Sequence, residues 1–184
     1  MGEMEPVELV GPPVVASELG LARPSAVRLM QAGLAGRLYT DGQREMVERS
    51  HVAALAGRPL KELDDLPPAL IVRAGPPHKD TSDDSRDWYG WHAAASKEAQ
   101  RAGVSRWWVV RDADQLTGQL FVVTVSGIVV DVARIAEAIS AEDFWAFRLT
   151  DPDDDDPDAH AWHGLRLRPV AGGAIMRHGL DLLS

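Results

Sequence analysis

Six arginines fall within residues 22–60, at Arg23, Arg28, Arg37, Arg44, Arg49 and Arg58, against three acids, Asp41, Glu45 and Glu48. A guanidinium keeps its charge at any working pH and grips a phosphate or a guanine edge with two parallel N–H groups, so a local balance of +3 suits a polyanionic partner. A second concentration of side chains lies further along. Trp88, Tyr89 and Trp91 sit within four residues beside Arg86, the pair Trp107 and Trp108 follows, and all six Trp of the chain lie beyond residue 68. Aromatic faces gathered in this way can stack on a flat base or surround a cation. Three of them in four residues cannot all turn inward from one helix or loop.

The elements that must hold the arginines are short. Val15, Ala16 and Leu19 give one helix a core face, and Gly20 suits the left-handed turn that ends it. A second helix opens at Pro24, a good first-turn residue, and Val27, Met30 and Leu34 recur at helical spacing as its inward side. Arg23, Ser25, Arg28 and Gln31 remain on the outer side, where Arg can meet guanine or phosphate and Gln can pair with adenine. Thr40-Asp41-Gly42-Gln43 is a hairpin tip signalled by Asp-Gly, with Arg44 and Arg49 flanking it, and Ser50 is expected to cap a third helix over HVAALAG.

Residues 61–68, rich in Pro and acid, read as a linker between a first domain at 1–60 and a second at 69–184. The second domain opens on the strand-like ALIVRAG. A helix is expected over RDWYGWHAAASKEAQRAG, ending at Gly103. Two β-branched runs then meet at Ser126-Gly127, which reads as a hairpin, and AEAISAEDFWAFRL stays ambiguous between helix and strand. The fold class is therefore α+β, a small helical head followed by a mainly-β unit for which a small closed barrel is the expected architecture.

Composition closes off other classes. The net charge of −9 argues against nucleic acid at first, yet the run DPDDDDPD at 151–158 holds six Asp, and without it the remainder carries only −3. The absence of cysteine excludes disulfides and thiolate metal sites and fits a reducing, cytoplasmic setting. No apolar run reaches the roughly 18 residues of a membrane span. His160 and His163 beside the Asp run invite a metal reading, but a solvated acidic loop is the commoner arrangement, and no metal or other cofactor is expected. The chain lacks a G-x-S-x-G elbow, and its AGGA string has no Lys-Ser/Thr of a phosphate loop, so it is read as non-enzymatic.

The stretch VASELGLARPSAVRLMQAGLAGRLYTDGQREMVERSHVAALAG resembles the excisionase-like branch of MerR-type winged helix-turn-helix domains, with Glu45 and Glu48 standing where that family's wing is usually more basic. The resemblance implies binding of double-stranded DNA through the second helix and the wing. More faintly, KEAQRAGVSRWWVVRDADQLTGQLFVVTVSGIVVDVARI, with FWAFRL and WHGLRLRPV after it, is similar to PUA-like barrels, a superfamily that includes readers of RNA and of modified DNA bases. That likeness implies a pocket taking an extruded base, methylated cytosine among the candidates. The DNA contacts are then Arg23, Ser25, Arg28, Gln31, Arg44 and Arg49. The base or ligand contacts are Arg86, Trp88, Tyr89, Trp91, Trp107 and Trp108. A homodimer is compatible with such a head. The competing expectation is an adaptor or antitoxin-like protein whose head docks protein and whose acidic loop meets a basic partner.

Overall fold

The computed structural model describes residues 7–180, so residues 1–6 and 181–184 of the two expected domains lie outside the described residues. Strand β1 (Leu9–Val10) leads into helix α1 (Pro12–Leu19), which opens on two prolines and ends at Gly20 with φ +65°. Helix α2 (Arg23–Gln31) follows after three residues. Its buried face is Ala26, Leu29 and Met30, and Val27 is only half-buried because it faces an open cleft beside Arg23 and Met46. Strands β2 (Tyr39–Asp41) and β3 (Arg44–Glu48) form the antiparallel hairpin, with Gly42 at φ +60° in the turn and β1 on the outer side of β3. Helix α3 (Arg49–Ala56) starts directly from β3, so its boundary residue is Glu48 and the expected Ser50 cap is not used.

The rest of the chain builds one larger sheet. Its elements are β4 (Leu60–Lys61), a 3-10 turn at Leu63–Asp65, β5 (Ala69–Arg73), β6 (His78–Lys79), β7 (Trp88–Tyr89), α4 (Lys97–Val104), a second 3-10 turn at Ala113–Leu116, β8 (Leu120–Val125), β9 (Ile128–Ala141), β10 (Phe144–Thr150), α5 (Pro157–Trp162), β11 (Arg166–Leu167) and β12 (Ile175–His178). The strand order is β12-β5-β8-β9-β11-β4, with β10 also pairing β9; β6 and β7 form a separate ribbon. Strands β5 and β8 run parallel, and the long crossover between them carries β6, β7 and α4. The β8–β9 hairpin turns on Ser126 and Gly127, both at positive φ, the geometry that matches the twist of its strands.

Three sequence expectations are corrected. The sheet is an open path and not a closed barrel: the free edge of β10 is covered by residues 105–108, but no ladder among the described residues joins that segment to β12. The long helix expected from Arg86 begins only at Lys97, where the Ser96 hydroxyl accepts the Ala99 amide, and Trp88–Tyr89 instead pair with His78–Lys79. Residues 61–68 are no free linker, since Lys61 pairs with Leu167 and both Leu63 and Leu66 are buried against the sheet.

The head and the sheet share apolar surface. Ile128 is buried among Val15, Leu29 and Val52 of the head, and Ala32 joins the core of Val72, Trp91, Phe121 and Phe147. The Ser126 hydroxyl donates to the Ser25 carbonyl at 2.7 Å, and the Ala93 amide donates to the Ala32 carbonyl. This docking fixes which side of α2 faces the sheet.

Candidate nucleic-acid interface

Helix α2 divides its polar residues between two edges, because successive residues turn by about 100° and Arg23 and Ser25 therefore point apart. Arg23 lies on the hairpin edge, where it lines a cleft with Val27, Arg44 and Glu45. Arg28 and Ser25 lie on the opposite edge, toward the sheet. Among the described residues no carboxylate comes within ion-pair distance of Arg23, Arg28 or Arg44, and Arg28 Nε donates only to the Pro24 carbonyl. Two further candidates are engaged within the head. Arg49 is paired with Glu18 at 2.7 Å and Glu8 at 2.8 Å, and Gln31 donates to Glu45 at 3.0 Å. Arg37, which was not a candidate, lies over the Tyr39 ring at 5.3 Å.

The aromatic candidates part company. Trp91 is buried in the core, with 4% of its surface exposed, and Trp88 is half-buried behind the β7 strand, lining a shallow recess with Ser85 and Ala99. Tyr89, Trp107 and Trp108 line a cavity of about 460 Å³ together with Arg73, Asp80, Ser82, Arg86, Gly90, Gly103 and Arg106. Tyr89 and Trp107 keep 46% and 39% of their surface exposed.

Each wall of that cavity is held from behind. Arg86 bonds Asp80 at 2.7 Å and the Arg106 carbonyl at 2.9 Å, and its guanidinium lies 5.9 Å from the Tyr89 ring centre. His78 covers the other part of Tyr89 at 5.4 Å between ring centres. The indole N–H of Trp107 donates to Asp83 at 2.9 Å, and that of Trp108 to the Val104 carbonyl at 2.8 Å. The loop below repeats one turn twice: Asp80 accepts from the amide and hydroxyl of Ser82, and Asp83 does the same for Ser85. The Ser82 amide and hydroxyl and then Arg86 draw the Asp80 carboxyl down to about 2, and the Ser85 hydroxyl and amide, with help from Trp107 and Arg106, also lower Asp83. Both acids are thus ionised and engaged, and neither presents a free negative charge for a cationic ligand. At the back, Gly103 and Gly90 touch so closely that a Cβ on Gly103 would stand 2.5 Å from the Gly90 carbonyl oxygen.

A second cavity, of about 260 Å³, lies between the head and the sheet, lined by Ser25, Arg28, Arg73, Thr124, Ser126, Gly127 and Arg168. It shares Arg73, Ala74 and Gly75 with the aromatic cavity, so the two meet at the carboxyl end of β5, the cleft on the Ile71 and Thr124 face of the sheet and the aromatic cavity on the Val72 face. Five arginines line the two cavities, Arg28, Arg73, Arg86, Arg106 and Arg168; Arg86 pairs with Asp80 and Asp83, Arg106 with Asp83 and Arg168 with Glu62, which leaves Arg28 and Arg73 without a carboxylate partner among the described residues. In a chain of net charge −9, the cleft beside the head, with three arginines and no lining carboxylate, is a local exception.

Arg73, Arg106, Arg168, Ser82 and Ser126 escaped the sequence reading. Arg73 ends the apolar strand β5 and Arg168 follows the short strand β11, and the two are brought together only by the fold. The repeated Asp-x-Ser at Asp80–Ser82 and Asp83–Ser85 was the one local signal, since it marks two successive side-chain turns.

Comparison with family models, curated proteins and solved structures finds no match to this chain.

Proposed function

We propose that this protein is a non-enzymatic, winged helix-turn-helix DNA-binding protein, in which α2 and the β2–β3 hairpin dock on duplex DNA while the PUA-like second unit takes a base into the aromatic cavity. The observation that carries the reading is the arginine-lined cleft beside α2, which shares Arg73, Ala74 and Gly75 with the cavity of Tyr89 and Trp107. Arg23 and Arg44 lie on one edge of α2 and Arg28 on the other, so cations stand on both sides of the helix, as contact with two phosphate strands requires. A cation cage is disfavoured, because Asp80 and Asp83, the acids at the cavity, are already engaged by Arg86, Arg106, Trp107 and the hydroxyls of Ser82 and Ser85. A flat ligand rich in acceptors, as a base is, satisfies both the ring faces and the cationic rim.

Tryptophan emission tests this directly, since Trp107 and Trp108 border the cavity. Titration of the full chain with a duplex carrying methylated cytosine, the unmodified duplex and a single strand is expected to quench emission in at least one case. Trp107→Ala should abolish that change while leaving duplex affinity within about threefold. Duplex binding with no emission change in any titration rejects the base pocket, and no binding of any of the three rejects the reading as a whole.

A further inference from the structure

We propose that the cleft between the head and the sheet is a phosphate-binding site, and that it holds the phosphate of the same nucleotide whose base enters the aromatic cavity. The second clause rests on the base reading above; the first does not.

The cleft is lined by three guanidiniums, those of Arg28, Arg73 and Arg168, and by no carboxylate. The three play different parts. Arg73 is fixed by bonds from its guanidinium to the carbonyls of Gly172 at 3.0 Å and Val170 at 2.9 Å, so it supplies a rigid positive charge at the wall. Arg28 has no acid partner among the described residues, and its fork is available to an incoming anion. Arg168 pairs with Glu62 at the surface, a contact between two exposed side chains that a phosphate can replace at little cost. Ser25, in the first turn of α2, also lines the cleft, so the positive end of the helix adds to the field.

The β8–β9 turn also reaches the cleft: Ser126, at the positive φ its hairpin turn requires, donates its hydroxyl to the Ser25 carbonyl, so an anion in the cleft would sit where the head and the sheet are joined. A volume of about 260 Å³ is ample for a phosphate and part of its sugar, and the shared wall Arg73–Gly75 places the 460 Å³ aromatic cavity next to it. An anion site and an aromatic cavity that share the wall Arg73–Gly75 suit a nucleotide better than a peptide carboxylate, which lacks the ring.

The test uses the full chain at constant ionic strength, with inorganic phosphate exchanged for chloride, and with cytidine and adenosine as nucleosides and as 5′-monophosphates. Phosphate is expected to raise the melting temperature of the wild type, and Arg28→Gln with Arg168→Gln to abolish that rise, with Arg28→Lys in place of the glutamine restoring part of it. A monophosphate should bind about tenfold or more tightly than its nucleoside in the wild type and equally in the double variant, as the loss of charge-assisted bonds implies. A phosphate effect that persists undiminished in the double variant, or no effect at all, overturns the site. The base reading fails separately: a monophosphate that binds no better than inorganic phosphate, with Trp emission unchanged, rejects the base pocket and leaves the phosphate site standing.

Discussion

The salt dependence of duplex binding offers the sharpest check on the head, because the structure shows which of the four candidate arginines are available. Arg23, Arg28 and Arg44 have no carboxylate partner among the described residues, whereas Arg49 is held by Glu8 and Glu18. Three phosphates neutralised give a slope of log affinity against log salt of about −0.9 per contact, or about −2.7, and hence a loss of roughly 40-fold between 50 and 200 mM salt. Replacing Arg28 or Arg44 by Ala should each reduce the slope to about −1.8. Arg49→Ala should leave it where it was, since that side chain gives up two intramolecular ion pairs before it can reach a phosphate. Fluorescence anisotropy of a labelled duplex over a salt series measures all four slopes. If Arg49→Ala flattens the slope as much as Arg28→Ala, the unpaired arginines are not what meets the backbone. A wild-type slope near zero removes phosphate contact altogether.

Gly103→Ala should close the aromatic cavity without touching the head, because the new Cβ meets the Gly90 carbonyl at 2.5 Å and backbone must move. A loss of about 1–3 kcal/mol in urea unfolding and of all base-dependent emission is expected, with the salt slope unchanged. The cavity loop should also be sensitive to acid in a defined window. The folded Asp80 carboxyl titrates near 2 and its ordinary value is 3.8, so its contribution is complete above the latter and lost as pH falls through the former. Trp emission is expected to hold at pH 4 and change toward pH 2, and Asp80→Asn to flatten the transition; a transition centred at pH 5 in the wild type contradicts the assignment. Finally, Asp153, Asp154 and Asp155 changed together to Asn should strengthen duplex binding several-fold at 10 mM salt and by less than twofold at 150 mM. An equal gain at both would place the acidic loop beside the cleft.

Much of the head was legible because its signals are local. Gly20 and Gly42 adopt the positive φ their positions require, and so do Ser126 and Gly127 in the second unit. The aromatic group was legible as a group but not residue by residue. Trp91 and Tyr89 are two positions apart on extended chain with Gly90 at φ +95° between them, and which of them goes to the core is decided by α4 and by the β6 strand that pairs with β7. Arg49 shows the same limit for charge. Its spacing beside the hairpin is that of a phosphate contact, but Glu8 and Glu18 reach it from β1 and α1, and only the packed head reveals that. The cleft itself had no signal in one dimension, because Arg73 at the end of β5 and Arg168 just after β11 line it together only through a sheet whose strand order departs from chain order.

That strand order also explains how an acidic chain can present a cationic cleft. The Asp run follows β10, and its Asp156 bonds Arg134 at 2.6 Å; Arg134 is the partner of Leu120, at the start of β8. The cleft lies at the other end of the same strand, where Ser126 and Gly127 turn into β9. Six residues of extended chain separate the two by about 20 Å. At physiological salt the screening length is about 8 Å, so the exposed acids act on an anion in the cleft through roughly two and a half screening lengths, while the arginines lining it act at contact. Asp151 is further neutralised by Lys97 and Arg101, and Asp156 by Arg134. The sheet thus works as a spacer: the sign of the charge felt by a ligand depends on which end of β8 it approaches, and the total of −9 describes neither end.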